Sequence, residues 1–302
     1  MAVGVHKLLT AAEAISRYVR PGAVVGMGGQ NINRCPMALV HEVIRQGVGG
    51  LTVVGCNLSL PLDMLVAAGL VVRTEQGTGN LERYGTLFAW RRAVERGEVS
   101  VGDHSHLAMA SRFAAGALGL PYLPTRSLLG TDLLAGLVEA GVAVETVDPF
   151  AGKPVVLVRA MTPDVALIHA NRADESGNVV IDGVTSHEVD MVRAARVTIV
   201  TAEEVLPAGA FTDLPERVTI PEAYVSAVVE QPYGAFPTSV YRAYDFAESE
   251  VKEYQALGRA GDAELREWIS ANLGATFEDH LKLRDPDGTL RAGLVEQMGR
   301  LV

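Results

Sequence analysis

Short apolar runs alternate with amphipathic segments along most of the chain, and this alternation predicts the secondary structure. Runs that are rich in β-branched side chains and bounded by turn formers indicate buried strands. Segments with apolar side chains on one helical face indicate helices. The predicted strands are Ala23–Met27, Leu51–Val54, Val71–Thr74, Val165–Ile168, Val179–Ile181, Val197–Thr201 and Val225–Val229. The predicted helices are Thr10–Tyr18, Pro36–Gln46, Leu62–Ala68 and Ser186–Ala195.

The order of these elements predicts the fold class. Strands and helices alternate from the start, which is typical of parallel strands joined by crossover helices. We therefore predict an α/β fold with a mostly parallel open sheet and helices on both faces. Residues 80–120 are expected to be mostly helical, and residues 125–150 to form a loop region. No sharp boundary is visible, so we predict a single domain over residues 1–302, with 247–302 as a helical and polar C-terminal extension.

Composition and charge narrow the range of partners and locations. The 302 residues carry a net charge of −10 without a long Lys/Arg cluster, so neither nucleic acid nor a membrane is an expected partner. No window approaches ~18 uninterrupted apolar residues, the length of a membrane-spanning helix. The two cysteines, Cys35 and Cys56, suit a reducing, cytoplasmic location better than a disulfide scaffold. Neither lies in a Cys-x-x-Cys pair, so no metal is expected there.

A glycine-rich loop after the first predicted strand contains the first candidate site. Glycines allow a ligand close to the backbone, and the helix that starts near Pro36 offers free N–H groups to an anion. The spacing is not that of a dinucleotide-binding loop. An ordinary tight turn before a helix is the alternative. The candidate binding residues in this loop are Gly28, Gly29, Asn31, Asn33 and Arg34.

Two further loops carry candidates for acid–base chemistry. Glu82 lies beyond the strand at Val71–Thr74, and loops at the carboxyl ends of strands bind ligands in open α/β sheets. Its alternative role is a solvated carboxylate in the first turn of a helix. His104 and His106 flank Ser105 next to an acid, but a metal needs a third ligand and the sequence offers none nearby. His106 could instead act as a base near neutral pH.

Three segments carry a family resemblance. They are Gly28-Gly29 followed by Arg34-x-Pro36, the strand–turn–strand block Asp164–Glu204, and the Pro-Tyr-Gly-Ala-x-Pro segment Pro232–Pro237. Together they resemble the α subunit of the glutaconate CoA-transferase type, within the class I CoA-transferase family. Glu175 lies in a Glu-Ser-Gly sequence that looks like the nucleophile turn of the β subunit, but its context matches a structural turn of the α subunit.

The resemblance implies half of an enzyme that moves CoA between an acyl-CoA and an acceptor carboxylate. In that family the nucleophilic glutamate belongs to the β subunit, so we expect a β-subunit partner in an αβ or α2β2 assembly. A CoA thioester would be the substrate, without a tightly bound cofactor. The N–H groups near Gly28 and Gly29 would stabilise an oxyanion, and Arg34 would pair with the distal carboxylate of a dicarboxylic, glutaconate-like acyl group. Pro232–Pro237 is expected to pack against the sheet.

Related enzymes leave the chemistry open. The α subunit of a hydrolase that opens the last steroid ring as a CoA thioester has a catalytic glutamate where an alignment backwards from Leu120–Pro124 places His106. His106 and Glu82 are therefore the catalytic candidates in this chain. A hydrolase, C–C lyase or glutaconyl-CoA-type decarboxylase subunit is the first alternative function, and a non-catalytic acyl-CoA-binding protein is the second.

Overall fold

The computed structural model describes residues 7–301, and its main feature is a parallel sheet. The strands of this sheet are β1 (Val24–Met27), β2 (Leu51–Leu58), β3 (Val71–Gly79), β4 (Ser100–Asp103), β8 (Val165–Asp174), β9 (Val179–Val180), β10 (Val197–Leu206) and β11 (Ala227–Glu230). The strand order is β11-β10-β8-β1-β2-β3-β4, all parallel, and the short β9 pairs antiparallel with β8. The predicted α/β fold is thereby confirmed.

Helices cover both faces of this sheet. The helices of residues 7–301 are α1 (Ala11–Tyr18), α2 (Met37–Arg45), α3 (Leu60–Ala67), α4 (Phe88–Glu95), α5 (His106–Ala117), α6 (Asp132–Glu139), α7 (Glu188–Ala194), α8 (Glu248–Ala260), α9 (Asp262–Asn272), α10 (Phe277–Arg284) and α11 (Thr289–Gly299). Among them, α6 packs on the small antiparallel sheet that is described below. Val53 faces the core beneath α1 to α4, whereas its neighbour Val54 faces the core beneath α5 and α7. Because both faces are buried, the central strands β1, β2 and β8 contain short apolar runs, such as Val165–Ile168 at the start of β8.

Two regions differ from the prediction. The stretch 80–120 contains β4 as well as α4 and α5, and the stretch 125–150 contains α6 and β6 (Ala143–Val147) instead of a loop. β6 joins β5 (Tyr122–Thr125) and β7 (Pro154–Arg159) in a small antiparallel sheet of order β5-β7-β6. The sequence Ser-Val-Gly-Asp of β4 is too short and too polar to resemble a buried strand, because β4 lies at the edge of the main sheet.

The C-terminal segment packs onto the main core. Tyr254, Leu265 and Leu294 from α8, α9 and α11 belong to the same apolar cluster as the helices α1 to α4. The Tyr254 hydroxyl donates to the buried carboxylate of Asp63 in α3, at 3.0 Å. No helix within residues 7–301 has both the length and the apolar character that crossing a membrane requires.

Candidate active site

The candidate site lies where the parallel strands end. β1 leads into the glycine-rich loop, β3 leads towards Glu82, and β4 leads through His104 to His106 at the start of α5. Parallel strands deliver their carboxyl ends to one edge of the sheet, where open α/β folds bind ligands. The sequence-predicted residues therefore share one edge of the molecule, although their individual environments differ.

Gly28 and Gly29 are required by packing. A Cβ atom at Gly28 would lie 2.6 Å from the Glu188 carboxylate and 2.8 Å from Ile168, and Gly29 has a φ of +85°. Their N–H groups are also engaged within the chain. The Gly28 N–H donates to the Leu167 carbonyl and the Gly29 N–H to Glu188 Oε1, each at 2.9 Å. The structure thus does not leave these two amides free for the expected oxyanion role.

Arg34 points into the protein and is 2% exposed. Its Nη1 donates to the His169 carbonyl at 2.9 Å and to Glu188 Oε1 at 3.1 Å, and its Nη2 donates to the Val184 carbonyl at 2.9 Å and to Glu188 Oε2. The ion pair is buried on both sides. A buried guanidinium that already has its carboxylate is not available to a substrate carboxylate. In this structure Arg34 and Glu188 instead hold the glycine-rich loop in place.

Asn31 and Glu82 meet at the tip of this loop. The Asn31 Nδ2 group donates to Glu82 Oε1, and the Glu82 N–H donates to Asn80 Oδ1 at 2.8 Å. Both residues have positive φ angles, 54° for Asn31 and 51° for Glu82. Such a backbone is uncommon for Glu. The carboxylate of Glu82 is exposed, so the pair presents acceptor oxygens at the edge of the sheet.

Asn33 contacts the segment that follows Pro237. Its Oδ1 accepts from the Ser239 hydroxyl at 3.3 Å, and the neighbouring Arg34 N–H donates to the Ser239 carbonyl. The Ala38 N–H donates to the Gly234 carbonyl at 2.9 Å, and Phe236 is buried. Pro232–Pro237 thus packs against α2, and its Tyr233 N–H donates to Glu203 in the sheet strand β10 at 2.7 Å, which agrees with the expected packing on the sheet. Asn33 has a structural contact in this region.

His106 is exposed at the first position of α5, where Ser105 caps the helix by accepting the Ala108 N–H at 3.1 Å. A Cβ atom at Gly77 would lie 2.7 Å from the His106 ring and 2.9 Å from its Cα, so this glycine makes room for the histidine. Among the described residues, no hydrogen bond or ion pair joins His106 to Glu82. Glu82 after β3 and His106 at the start of α5 are therefore not joined by a polar contact.

His104, unlike His106, is buried within a charged cluster. Its Nε2 lies 2.9 Å from Arg112 Nη1 and 3.4 Å from Glu75 Oε2. Burial opposes ionisation of Glu75, but hydrogen bonding to His104 and the charge of Arg112 lower the pKa of this carboxyl to about 2. Arg112 also donates to the Arg159 carbonyl at 2.9 Å, which ties the small sheet to the main one.

Sequence reasoning missed a second buried network, centred on His169 and Glu203. The His169 Nδ1 lies 2.8 Å from the Thr201 hydroxyl and its Nε2 lies 2.7 Å from Glu203 Oε1. Glu203 also accepts from the Tyr244 hydroxyl and from the Tyr233 N–H, both at 2.7 Å. Burial and the nearby Glu203 charge raise the pKa of Tyr244 well above its usual value. Because Arg34 donates to the His169 carbonyl, this network continues the one beneath the glycine-rich loop.

The two cysteines lie in the interior of the protein. Both are unpaired and buried. Burial raises the pKa of Cys35 to about 11 and that of Cys56 to about 12, so neither is a thiolate at neutral pH. The turn at Glu175 is confirmed, since the Gly177 N–H donates to the Asp174 carbonyl across it at 2.9 Å.

Comparisons with known proteins agree on the family. The family model for coenzyme A transferase matches residues 8–231. The α subunit of glutaconate CoA-transferase from Acidaminococcus fermentans is 33% identical over 87% of this chain and 88% of its own. A protein of Archaeoglobus fulgidus without an assigned function is 42% identical over 84% of this chain, and the chain spans 56% of that protein's length.

Solved structures extend the agreement to three dimensions. The crystal structure of glutaconate coenzyme A-transferase from A. fermentans matches with a TM-score of 0.89, at 29% identity over 95% of both chains. The crystal structure of the decarboxylase AibA/AibB matches with a TM-score of 0.76, at 31% identity over 88% of this chain and 98% of the other. The sequence-based resemblance is therefore confirmed: the chain belongs to the coenzyme A transferase family.

Proposed function

We propose that this chain is the α subunit of a heteromeric CoA-transferase, with the nucleophilic glutamate supplied by a β subunit. The match to glutaconate coenzyme A-transferase, with a TM-score of 0.89 over 95% of both chains, carries the proposal. The acids buried at the carboxyl edge support it, because each is already engaged within the chain. Glu75 pairs with Arg112, Glu188 pairs with Arg34, and Glu203 accepts three hydrogen bonds. A carboxylate held in this way is a poor nucleophile.

The proposed reaction balances without a cofactor. A β-subunit carboxylate attacks the acyl-CoA thioester, forms an acyl anhydride and releases the CoA thiolate. The thiolate attacks the glutamyl carbonyl of the anhydride, which releases the first acid and leaves a glutamyl-CoA thioester. The acceptor carboxylate then repeats these steps in reverse and leaves as its own CoA ester. This chain contributes to the acyl pocket the side chains of Asn31, on the loop that Arg34 and Glu188 hold in place, of Glu82, after β3, and of His106, at the start of α5.

The surface around the site fits a partner protein. Three large apolar side chains near the candidate site are exposed: Leu107, Val184 and Tyr241. Leu107 follows His106 in the chain, Arg34 donates to the Val184 carbonyl, and Asn171 donates to the Tyr241 carbonyl. Exposed apolar side chains around a functional edge are typical of an interface. We propose an αβ or α2β2 assembly with a CoA thioester as substrate. The two unpaired cysteines favour a cytoplasmic location for it.

A decarboxylase of the same fold is the second candidate. The 31% identity to the decarboxylase AibA/AibB favours it, as does an exposed histidine at the start of α5 that could move a proton. Fold alone does not decide between these chemistries.

Product analysis separates the two candidates. The chain would be co-expressed with its β subunit, and the purified complex incubated with an acyl-CoA, with and without acetate. The products would be identified by mass spectrometry. Formation of acetyl-CoA only when acetate is present would support CoA transfer. Carbon dioxide release or thioester hydrolysis in the absence of acetate would contradict transfer and direct attention to His106.

A further inference from the structure

We infer that the Asn31–Glu82 pair selects acyl groups that end in an uncharged hydrogen-bond donor, such as a hydroxyl, and disfavours acyl groups that end in a carboxylate. This inference rests on the proposed CoA transfer and adds the substrate class to it. It replaces the dicarboxylic, glutaconate-like acyl group that the sequence had led us to expect.

The pair is built into the fold. It joins the loop after β1 to the loop after β3, so it bridges the two strands that flank β2. Both residues keep positive φ angles, which cost free energy for a non-glycine residue and persist only where the surroundings impose them. The Asn31 carbonyl also accepts from the Cys35 thiol at 3.2 Å and from the Ser59 hydroxyl. These two contacts hold the Asn31 backbone in place, and the hydrogen bond to Glu82 orients its side chain before any ligand arrives.

The oxygens that this pair offers are acceptors. Asn31 Oδ1 is buried and has no hydrogen-bond donor among the described residues, and the exposed Glu82 carboxylate receives only the Asn31 amide and no cation. Asn57 Oδ1 on β2 and Gln76 Oε1 on β3 are likewise buried without a donor. Buried acceptors are stabilised by a donor and destabilised by a further acceptor. A substrate hydroxyl meets this requirement, whereas a substrate carboxylate adds a like charge.

Two arginines near the pair are engaged elsewhere. Arg34 is buried against Glu188. Arg83 follows Glu82 directly in the chain, but its guanidinium lies over the Tyr84 ring and donates to the Tyr84 hydroxyl at 2.9 Å. The same guanidinium forms an ion pair with Glu248 at 3.2 Å. Neither guanidinium is directed at the Asn31–Glu82 pair, so the negative charge of Glu82 sets the local preference.

Three thioesters of equal chain length test the inference on the assembled complex. They are glutaryl-CoA with a terminal carboxylate, 5-hydroxypentanoyl-CoA with a terminal hydroxyl, and pentanoyl-CoA with neither. We expect kcat/KM with acetate as acceptor to be highest for the hydroxyl substrate. In the Glu82→Gln variant, the ratio of kcat/KM for 5-hydroxypentanoyl-CoA to kcat/KM for glutaryl-CoA should fall by about tenfold. Most of this change should come from a higher kcat/KM for glutaryl-CoA, because the variant removes a negative charge that repels its terminal carboxylate.

Glu145→Gln is the matched control, because it removes one exposed carboxylate from β6 in the small sheet. It should leave all three kcat/KM values unchanged, and thermal unfolding would verify that both variants fold. A native preference for glutaryl-CoA, or an unchanged ratio in Glu82→Gln, would overturn the inference while leaving CoA transfer intact. No transfer from any of the three thioesters would overturn the proposed function, and this inference with it.

Discussion

Replacing Arg34 by methionine should destabilise the chain strongly, because it leaves the Glu188 carboxylate buried without its cation. The side chains are 3% and 1% exposed, so water cannot compensate the lone charge. Breaking a buried ion pair by removing one partner costs about 3–5 kcal/mol. Native proteins typically have a free energy of unfolding of only ~5–15 kcal/mol, so the loss of this ion pair would remove a large fraction of it.

The double variant Arg34→Met/Glu188→Met identifies the cause. Removing both charges eliminates the isolated carboxylate, so the double variant should recover at least half of the loss. It should not recover all of it, because the Gly29 N–H then loses its acceptor. Urea unfolding of the purified chain, followed by circular dichroism, gives the free energies for this double-mutant cycle.

Arg196→Met is the matched control for this cycle. Arg196 lies 3.7 Å from Asp164, and the two side chains are 77% and 44% exposed. Exposed ion pairs contribute about 0–1 kcal/mol, so this variant should change little. A loss below about 1 kcal/mol in Arg34→Met, or a double variant whose loss equals the sum of the single losses, would refute the account of the buried pair.

Three further predictions concern other contacts of the site and core. Burial lowers the pKa of His280 to about 4, so as pH falls through about 6.5 the unfolded chain gains a proton on this histidine that the folded chain does not. The free energy of unfolding should therefore drop by about 2 kcal/mol between pH 7 and pH 5 on account of His280, and urea unfolding of the His280→Leu variant should lack that contribution to the pH dependence. Tyr244→Phe removes a donor to Glu203 and should lower the unfolding free energy by about 1–2 kcal/mol, whereas an unchanged urea midpoint would exclude a role for that hydrogen bond. Gly77→Ala forces the His106 backbone to move and should lower kcat of the complex by about tenfold or more, and an unaltered kcat would remove His106 from the site.

The central strands were predictable, because burial on both faces makes each a β-branched run. β1, β2, β3, β8 and β10 all lie where the sequence placed them, although β2, β3, β8 and β10 extend further. The edge strand β4 and the small sheet were not predictable in this way, since edge and half-exposed strands need no such run.

The location of the candidate site at the carboxyl edge of the sheet was predictable, but the contacts of its residues were not. A strand followed by glycines marked Gly28, Gly29 and Arg34 correctly as part of the carboxyl edge. The partner of Arg34 is Glu188, which lies 154 positions away in the sequence, so no local pattern could show that the guanidinium turns inwards. The same holds for His169 and Glu203, which meet only because β8 and β10 are neighbours in the sheet.

The central claim is that this chain shapes the acyl pocket while a partner carries the nucleophile, and the enzyme–CoA thioester tests it most directly. The complex would be incubated with acyl-CoA without acceptor, and the intact mass of each chain measured by mass spectrometry. We predict an unmodified mass for this chain, together with a CoA adduct on a glutamate of the β subunit. An adduct on this chain would contradict the account.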